Sequence, residues 1–288
     1  MITVTAQMAS EYLPVLADDA HKYSRGMCDL VVGSPLYAGA GVLAAGAANV
    51  MGAGYIRVYS CPEVAAALHV CQPSAVVKKQ DTFFNDKHIE TEGHPSAVVM
   101  GCGLDLNCKA TSMSFVREVI HETRVPLVLD GTALSYLMTA EAPAVLETRL
   151  NSGYATVVTP HLGEASRFAG LGRCDDLAQW ALNIAHTLFV TCVLKGAQTF
   201  IADPSMTSTD EVLCMSEGTA VLAKAGTGDV LAGMLGSLLA QGVDQVPAAC
   251  AATFIHARAG EIAKSTQGVC TTTEDVLSCI PAAVGSLK

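Results

Sequence analysis

Charge is scarce in this chain, and most of it is negative. Charged residues make up 15% of the 288, with 17 basic against 27 acidic, for a net charge of −10. A protein that mainly grips nucleic acid needs a basic footprint, so that class is excluded; a nucleotide ligand, which needs only local donors, is not. Aromatic residues reach only 5%, and the single tryptophan, Trp180, offers no platform for stacked bases. There is no CxxC pair, no zinc-like Cys/His spacing, no Walker A pattern and no Ser–His–Asp order. The eleven cysteines are odd in number and scattered through apolar runs, which reads as reduced, mostly buried thiols in a cytoplasmic protein. Met1-Ile2-Thr3-Val4-Thr5 lacks a basic region followed by an apolar signal core. The Ala/Gly-rich run 39–54 is shorter than a membrane span, so no membrane role is expected.

Apolar residues are abundant, at 51%, enough for a large core and for subunit contacts. Strand-like runs at 29–33, 55–60, 75–78, 97–101, 126–130, 156–159 and 190–194 alternate with helical patterns at 39–52, 63–69, 113–122, 141–150, 163–168 and 175–187. Such alternation predicts a mostly parallel sheet covered on both faces. After Leu194 the pattern changes to strand, tight turn, strand over 193–202, with a further antiparallel strand at 212–215. Helical patterns then run to the end. Pro247 suits a first helical turn, and Thr272 with Asp275 resembles a capping pair. No repeat or linker interrupts the chain, so one domain spanning 1–288 is expected.

Ala225-Gly226-Thr227-Gly228-Asp229 leads into an apolar helical run, 230–241. A small-residue turn opening a helix gathers N–H groups at the positive end of the dipole and makes an anion site. Asp229 beside it is a candidate general base, or else a capping aspartate. Gly233 and Gly236 weaken the helix by ~1 kcal/mol each relative to Ala, which makes sense where neighbouring backbone packs close. The helix is therefore expected to be central and buried.

Other candidates fall near strand ends, where open α/β sheets bind ligands. Gly101-Cys102-Gly103-Leu104-Asp105 is a ligand-approach turn or an ordinary βα turn. In Thr159-Pro160-His161-Leu162-Gly163-Glu164, His161 can donate to a phosphate or a substrate hydroxyl, and Glu164 can cap the helix or organise metal-bound water; the other reading is a capping cluster with a solvent-facing His. Lys195-Gly196-Ala197-Gln198-Thr199 places a lysine that neutralises a phosphate or points to solvent. Lys224 has the same two readings. Asp130, in Asp130-Gly131-Thr132-Ala133-Leu134, is a weaker candidate that orients a metal or a ligand or caps a helix.

In order, TPHxGE, VLKGAxT and AGTGDVLAG resemble motifs of the ribokinase-like superfamily, and more narrowly of the ADP/ATP-dependent NAD(P)H-hydrate dehydratases. The resemblance runs from His21-Lys22 and 31–34 to the helix at 272–277, nearly the whole chain. It implies an α/β, three-layer αβα fold with a central, mostly parallel sheet flanked by helices. It implies phosphorylation of the hydrate hydroxyl from ADP or ATP, then elimination of phosphate to restore NADH or NADPH, with Mg²⁺ bridging nucleotide phosphates. Asp229 would be the base and Gly226, Thr227 and Gly228 the anion hole. Lys195, Gly196, Ala197 and Thr199, with Gly228, match the nucleotide loop. Gly103 and His161, with Asp229, would face the substrate, and Gly101 and Gly103 match a GPGLG turn. No residue is assigned as a metal ligand. The resemblance also implies a homo-oligomer, with a tetramer favoured, and a separate epimerase acting in the same pathway.

Several positions depart from the family pattern. Ala225 stands for the first glycine of GGTGD, Thr132 for the second carboxylate of DADAL and Leu162 for the proline of TPHPGE. Ser216-Glu217-Gly218-Thr219-Ala220 replaces a GN-rich segment, and His21-Lys22-Tyr23-Ser24-Arg25-Gly26 stands for HKGDFG. Two alternatives stay open: a kinase for a small alcohol of the sugar, hydroxymethylpyrimidine or hydroxyethylthiazole type, and a nucleotide-binding protein that has lost catalysis. Sequence does not choose ADP over ATP or NADH hydrate over NADPH hydrate.

Overall fold

A computed structural model describes residues 1–86, 94–107, 112–168 and 171–287. Cys108 lies outside these. The ten other cysteines are unpaired, as the reduced-thiol reading requires.

Strands β1 (Ile2–Thr3), β2 (Met27–Val31), β3 (Tyr55–Ser60), β4 (Val76–Lys79), β5 (Ser96–Met100), β6 (Leu127–Leu129), β7 (Thr156–Val158), β8 (Thr191–Leu194), β9 (Thr199–Ala202) and β10 (Leu213–Met215) form one ten-stranded sheet. Its order is β1-β10-β9-β8-β7-β6-β5-β2-β3-β4. The run from β8 to β4 is parallel, whereas β9 pairs antiparallel with both β8 and β10. The expected strands are therefore present, with ends shifted by one or two residues. β1 was not expected: two residues carry no periodicity, and its partner β10 is some 200 residues away in sequence.

Successive side chains of a strand point to opposite faces. Leu30 and Val32 accordingly enter one core and Val31 the other. The first core is closed by α1 (Ala6–Glu11), α2 (Ala38–Val50), α3 (Pro62–Cys71), α8 (Thr227–Ala240), α9 (Gln245–Gln267) and α10 (Thr273–Gly285). The second is closed by α4 (Met113–Glu122), α5 (Ala142–Asn151), α6 (Leu162–Ala165) and α7 (Leu177–Leu188). This is the expected three-layer arrangement. A 3₁₀ stretch, Gly131–Met138, was not foreseen; it follows β6 directly. None of the described helices is long and apolar enough to cross a membrane.

Helix α8 is buried along almost its whole length, as its apolar period predicted. Its two glycines explain how it lies so deep. A Cβ on Gly233 would stand 2.2 Å from the Ala44 carbonyl oxygen of α2, and one on Gly236 would stand 2.0 Å from Val99 Cγ2 of β5. The helix thus touches a helix backbone on one side and the sheet on the other. Its N-terminus is placed rigidly over the strand ends, as an anion site requires.

The helical propensity of alanine and the cost of overpacking oppose each other at Gly233. Alanine gains ~1 kcal/mol by propensity, and a side chain forced into a packed core costs about 1–3 kcal/mol or more. Against backbone the clash should win, so Gly233→Ala should lower Tm by several degrees. Gly39→Ala in α2, where nothing lies within 4 Å, should instead leave Tm unchanged or raise it. Thermal unfolding of both variants checks the pair.

Candidate active site

Four neighbouring strands, β5, β6, β7 and β8, each end in a candidate residue. Cys102 follows β5, Asp130 follows β6, His161 lies just beyond β7 and Lys195 follows β8. Sheet order therefore gathers residues that lie as far as 93 positions apart in sequence. The N-terminus of α8 stands over the same edge and adds Asp229.

Asp130 is the centre of this cluster. It is 4% exposed, and its Oδ1 accepts from Lys195 Nζ at 2.8 Å and from Thr159 Oγ1 at 2.6 Å. Sγ of Cys102 and one carboxylate oxygen each of Asp130 and Asp229 lie within 4.8 Å of one another. Gly228 closes the roof: a Cβ there would come within 3.3 Å of Lys195 Nζ and 3.8 Å of Asp130 Oδ2. Two carboxylates thus share one ammonium. Burial pushes the Asp229 carboxyl up to about 6, with Asp130 adding repulsion, while the Cys102 thiol and Lys195 pull the other way. Burial works against the Lys195 ammonium, but Asp130 outweighs it and holds the amine above the usual lysine value. Burial, then the two carboxylates, keep the Cys102 thiol protonated. His256 on α9 is held down to about 4 by burial and by Lys195, and stays neutral.

The turn before α8 opens the helix on a glycine and leaves its first amides uncapped. Gly226 takes φ +93° as N-cap, and no side chain caps the helix. The amides of Gly226, Gly228 and Asp229 find no acceptor among the described residues. Thr227 differs from expectation, since its N–H points to the Lys224 carbonyl at 3.4 Å and its hydroxyl bonds the Leu222 and Lys224 carbonyls. It shapes the turn. The start of α10 fixes the turn from outside: Lys224 Nζ donates to Thr271 O at 2.6 Å, and Thr273 Oγ1 donates to Ala225 O at 2.8 Å. Lys224 is therefore tied to a carbonyl, and Thr272 with Asp275 forms the expected capping box.

Lys195 is no solvated turn lysine, because its ammonium lies in the Asp130 pair. The turn beyond it, Gly196 and Ala197, is exposed at the rim, and Thr199 is half-buried at the start of β9. His161 is the N-cap of α6: its Nδ1 accepts from the amides of Gly163 and Glu164, and Glu164 reaches back to the His161 N–H. In the neutral ring Nδ1 as acceptor leaves the proton on Nε2, which makes His161 a donor there. Of the two readings for Glu164, the helix cap is the one observed. Gly103 takes φ +64°, and a Cβ would meet Ala40 and the Tyr37 carbonyl.

Three of the departures from the family pattern have local explanations. Ala225 is absent from the positive-φ positions; that conformation falls on Gly226. Leu162 is the first residue of α6, a position that suits proline but does not require it. Thr132 donates its hydroxyl to Leu104 O at 2.8 Å and so replaces a carboxylate with a loop contact. The segment 21–26 lies at the opposite end of the sheet, where Gly26 packs against the Ala240 carbonyl.

The Cys102, Asp130 and Asp229 atoms are close enough to suggest a metal, but the donor set does not suit Mg²⁺. That ion takes hard oxygen ligands in octahedral geometry. Here one group is a protonated thiol and one carboxylate oxygen is already taken by Lys195 and Thr159.

Sequence undervalued Asp130 and gave Cys102 no role; proximity of these strand ends is set by sheet order, which no spacing reveals. A stability consequence follows for Asp229. Its folded value, about 6, lies above the unfolded value near 4, so the folded state binds the proton more tightly. Its favourable contribution is full below the unfolded value and is lost as pH rises through about 6. At pH 8 the buried charge costs about 3 kcal/mol, an upper figure for a partly exposed group. Asp229→Asn should therefore raise Tm at pH 8 and raise it less, or not at all, at pH 5. Melting curves at the two pH values check the sign.

Known proteins bear on this geometry. A family model described as NAD(P)H-hydrate dehydratase matches residues 28–282. The ADP-dependent (S)-NAD(P)H-hydrate dehydratase of Neisseria meningitidis is 34% identical over 88% of this chain and 82% of its own. The chain spans about half the length of the bifunctional NAD(P)H-hydrate repair enzymes that it also matches. Among solved structures, the ADP/ATP-dependent NAD(P)H-hydrate dehydratase of Bacillus subtilis, co-crystallised with ATP/Mg²⁺, superposes with a TM-score of 0.84 at 24% identity and covers 100% of this chain and 99% of that one. A ribokinase-like superfamily protein of Enterococcus faecalis gives 0.80 at 21% identity, over 99% and 96%. These two likenesses show the fold. With a family match over most of its length, this chain belongs to the NAD(P)H-hydrate dehydratase family.

Proposed function

We propose that this chain transfers a phosphoryl group from ADP or ATP to the ring hydroxyl of hydrated NADH or NADPH, and that loss of phosphate then restores the reduced cofactor. The observation that carries this reading is Asp229, a carboxylate poised near 6 at the positive end of a rigid helix, next to unpaired amides. A general base works best with a pKa near the operating pH. As the hydroxyl oxygen bonds to the terminal phosphorus, its proton passes to Asp229 and the bond from phosphorus to the bridging oxygen breaks. AMP or ADP leaves with that electron pair. The amides of Gly226 and Gly228 face the charge that develops on the phosphoryl oxygens. Elimination then breaks the ring C–O bond, phosphate takes the pair, and a proton leaves the neighbouring carbon.

The other site residues take supporting roles. Gly196 and Ala197 at the exposed rim, with half-buried Thr199, suit the nucleotide, and Lys195 adds charge beneath it. His161 Nε2 and the Gly103 turn face the substrate side. Mg²⁺, when bound with the nucleotide, would supply neutralisation of its phosphates. We infer one catalytic unit over 1–288, a cytoplasmic homo-oligomer with a tetramer favoured, and a separate epimerase in the same pathway. The apolar composition and the family support this.

Purified protein with the hydrate, Mg²⁺ and either ADP or ATP should regenerate the absorbance of the reduced nicotinamide. No recovery with either nucleotide would sink the reading, and a phosphorylated product that persists would favour the small-alcohol kinase. Asp229→Asn should lower kcat at least 100-fold while nucleotide binding survives. In the wild type kcat/KM should fall tenfold per pH unit below about pH 6, as Asp229 takes up its proton.

A further inference from the structure

We propose that a cleft between α4 and α5 is a second anion site, in which Arg124 and Arg149 hold a phosphate group, free or carried by a small organic molecule. It lies away from the candidate active site, and its occupancy is independent of the reaction proposed above.

The cleft has a volume of about 390 Å³, and His121, Arg124, Thr148, Arg149, Ser152 and Tyr154 line it. Small-molecule sites span about 300–1,000 Å³, so there is room for more than a bare ion. Arg149 reaches Val125 O and Thr156 Oγ1, which stand at the N-terminal ends of β6 and β7. Asp130 and His161 follow the C-terminal ends of the same strands. The length of β6 separates the two sites, roughly 10 Å or more at the rise of an extended chain.

Arg149 sets the cleft apart from the rest of the interior. Arg57 and Arg149 are the two buried arginines among the described residues. Asp29 neutralises Arg57 by taking two of its N–H groups, at 2.7 and 2.6 Å. Arg149 is 4% exposed, and no carboxylate among the described residues pairs with it. Its Nε donates to Thr156 Oγ1 at 3.1 Å, its Nη1 to Ile120 O at 3.1 Å and to Thr123 O, and its Nη2 to Val125 O at 2.9 Å. These carbonyls belong to the end of α4 and the chain leaving it, where the helix dipole favours a cation. They fix the guanidinium in one orientation and offset part of its charge. A guanidinium has five N–H donors. Four are used, and one on Nη2 remains. Burial, then the Arg124 charge, lowers Arg149 to about 10, so it stays protonated at neutral pH.

Arg124 brings a second cation. Only its Nη1 is bonded, to the carbonyls of His121 and Thr123, and its Nε and Nη2 have no acceptor among the described residues. The acidic side chains of α4 and α5 do not compensate. Glu118, Glu122 and Glu147 pair with neither arginine, and Glu141, just before α5, is engaged by Arg117 at 2.8 Å. His121 Nε2 is sheltered from solvent and has no hydrogen-bond partner. Two guanidinium groups thus share a concave site without a carboxylate, in a chain of net charge −10. Buried charges are ordinarily paired. The planar fork of arginine matches phosphate oxygens with two parallel N–H bonds. A phosphate monoester carries about −1.5 to −2 charges at pH 7, which suits two cations better than a single carboxylate does.

The test is titration calorimetry of the full chain at fixed ionic strength, with inorganic phosphate and ribose 5-phosphate as probes. Arg124→Gln removes one cation. Ala144→Glu adds a carboxylate at an exposed helical position that lines the cleft and makes no bond to the arginines. The wild type should bind a probe with a Kd of about 1 mM or below. Both variants should bind it at least tenfold more weakly, with melting curves that show them folded. If Arg124→Gln does not fold, Ala144→Glu decides alone. Tighter binding of ribose 5-phosphate assigns the site to organic phosphates, and equal binding assigns it to the free ion. If the wild type binds neither probe, or if folded Ala144→Glu binds both as the wild type does, the proposal is overturned.

Discussion

One ammonium serves two carboxylates at the end of this sheet, and that imbalance governs the rest of the site. Lys195 is held by Asp130 at 2.8 Å. With Thr159 on the same oxygen, Asp130 is satisfied and fixed. Asp229 receives what remains: partial burial, a negative neighbour and a share of the lysine's field. In water the two charges would separate. Here the strand ends and the α8 terminus hold them within 4.8 Å, and the repulsion adds to burial in raising the proton affinity of Asp229. The group left with that affinity is the one closest to the unpaired amides. A carboxyl with a pKa pushed up to about 6 and a row of uncapped amides thus arise from one arrangement.

That arrangement depends on helix α8 lying deep. Gly233 and Gly236 lack the side chains that would lift it off α2 and β5. Their weak helical propensity is offset by close packing along a helix that is almost wholly buried. If the helix rose, the Gly226–Asp229 turn would leave Asp130 and Lys195, and the shared charge would separate. The contacts from α10 to Ala225 and Lys224 hold the same turn from outside. Distant packing and local chemistry are in this sense one constraint.

The sequence carries those parts of the fold that have a local signature. Alternating apolar runs identified the parallel strands, and the glycines of α8 foretold a close neighbour. Thr272 and Asp275 gave their capping box because its spacing is local. The two-residue β1 was illegible, since its partner lies across the chain. The site divides along the same line. The 225–229 turn was visible as a candidate anion site because a helix N-terminus is a local feature. Asp130 was undervalued because its importance depends on the adjacency of β6 and β8 through β7, a fact of sheet order. His161 showed that it stands at a strand end, but not that its Nδ1 would be used for capping and its Nε2 set 3.5 Å from Glu164 Oε2.

Replacement of family residues can be judged by the same distinction between local and shared demands. Ala225 needs no glycine, because the left-handed conformation is taken by Gly226. Leu162 needs no proline at a helix start, and Thr132 exchanges a charge for a hydrogen bond to a carbonyl. Each change is absorbed where it occurs. Cys102 differs, because its side chain points into the shared charge of two carboxylates and cannot be neutral towards them. Its fully buried thiol adds a third, longer donor at 3.9 Å to Asp130, whose other carboxylate oxygen Lys195 and Thr159 already hold. The least conspicuous of these positions in the sequence is thus the one that touches the shared charge.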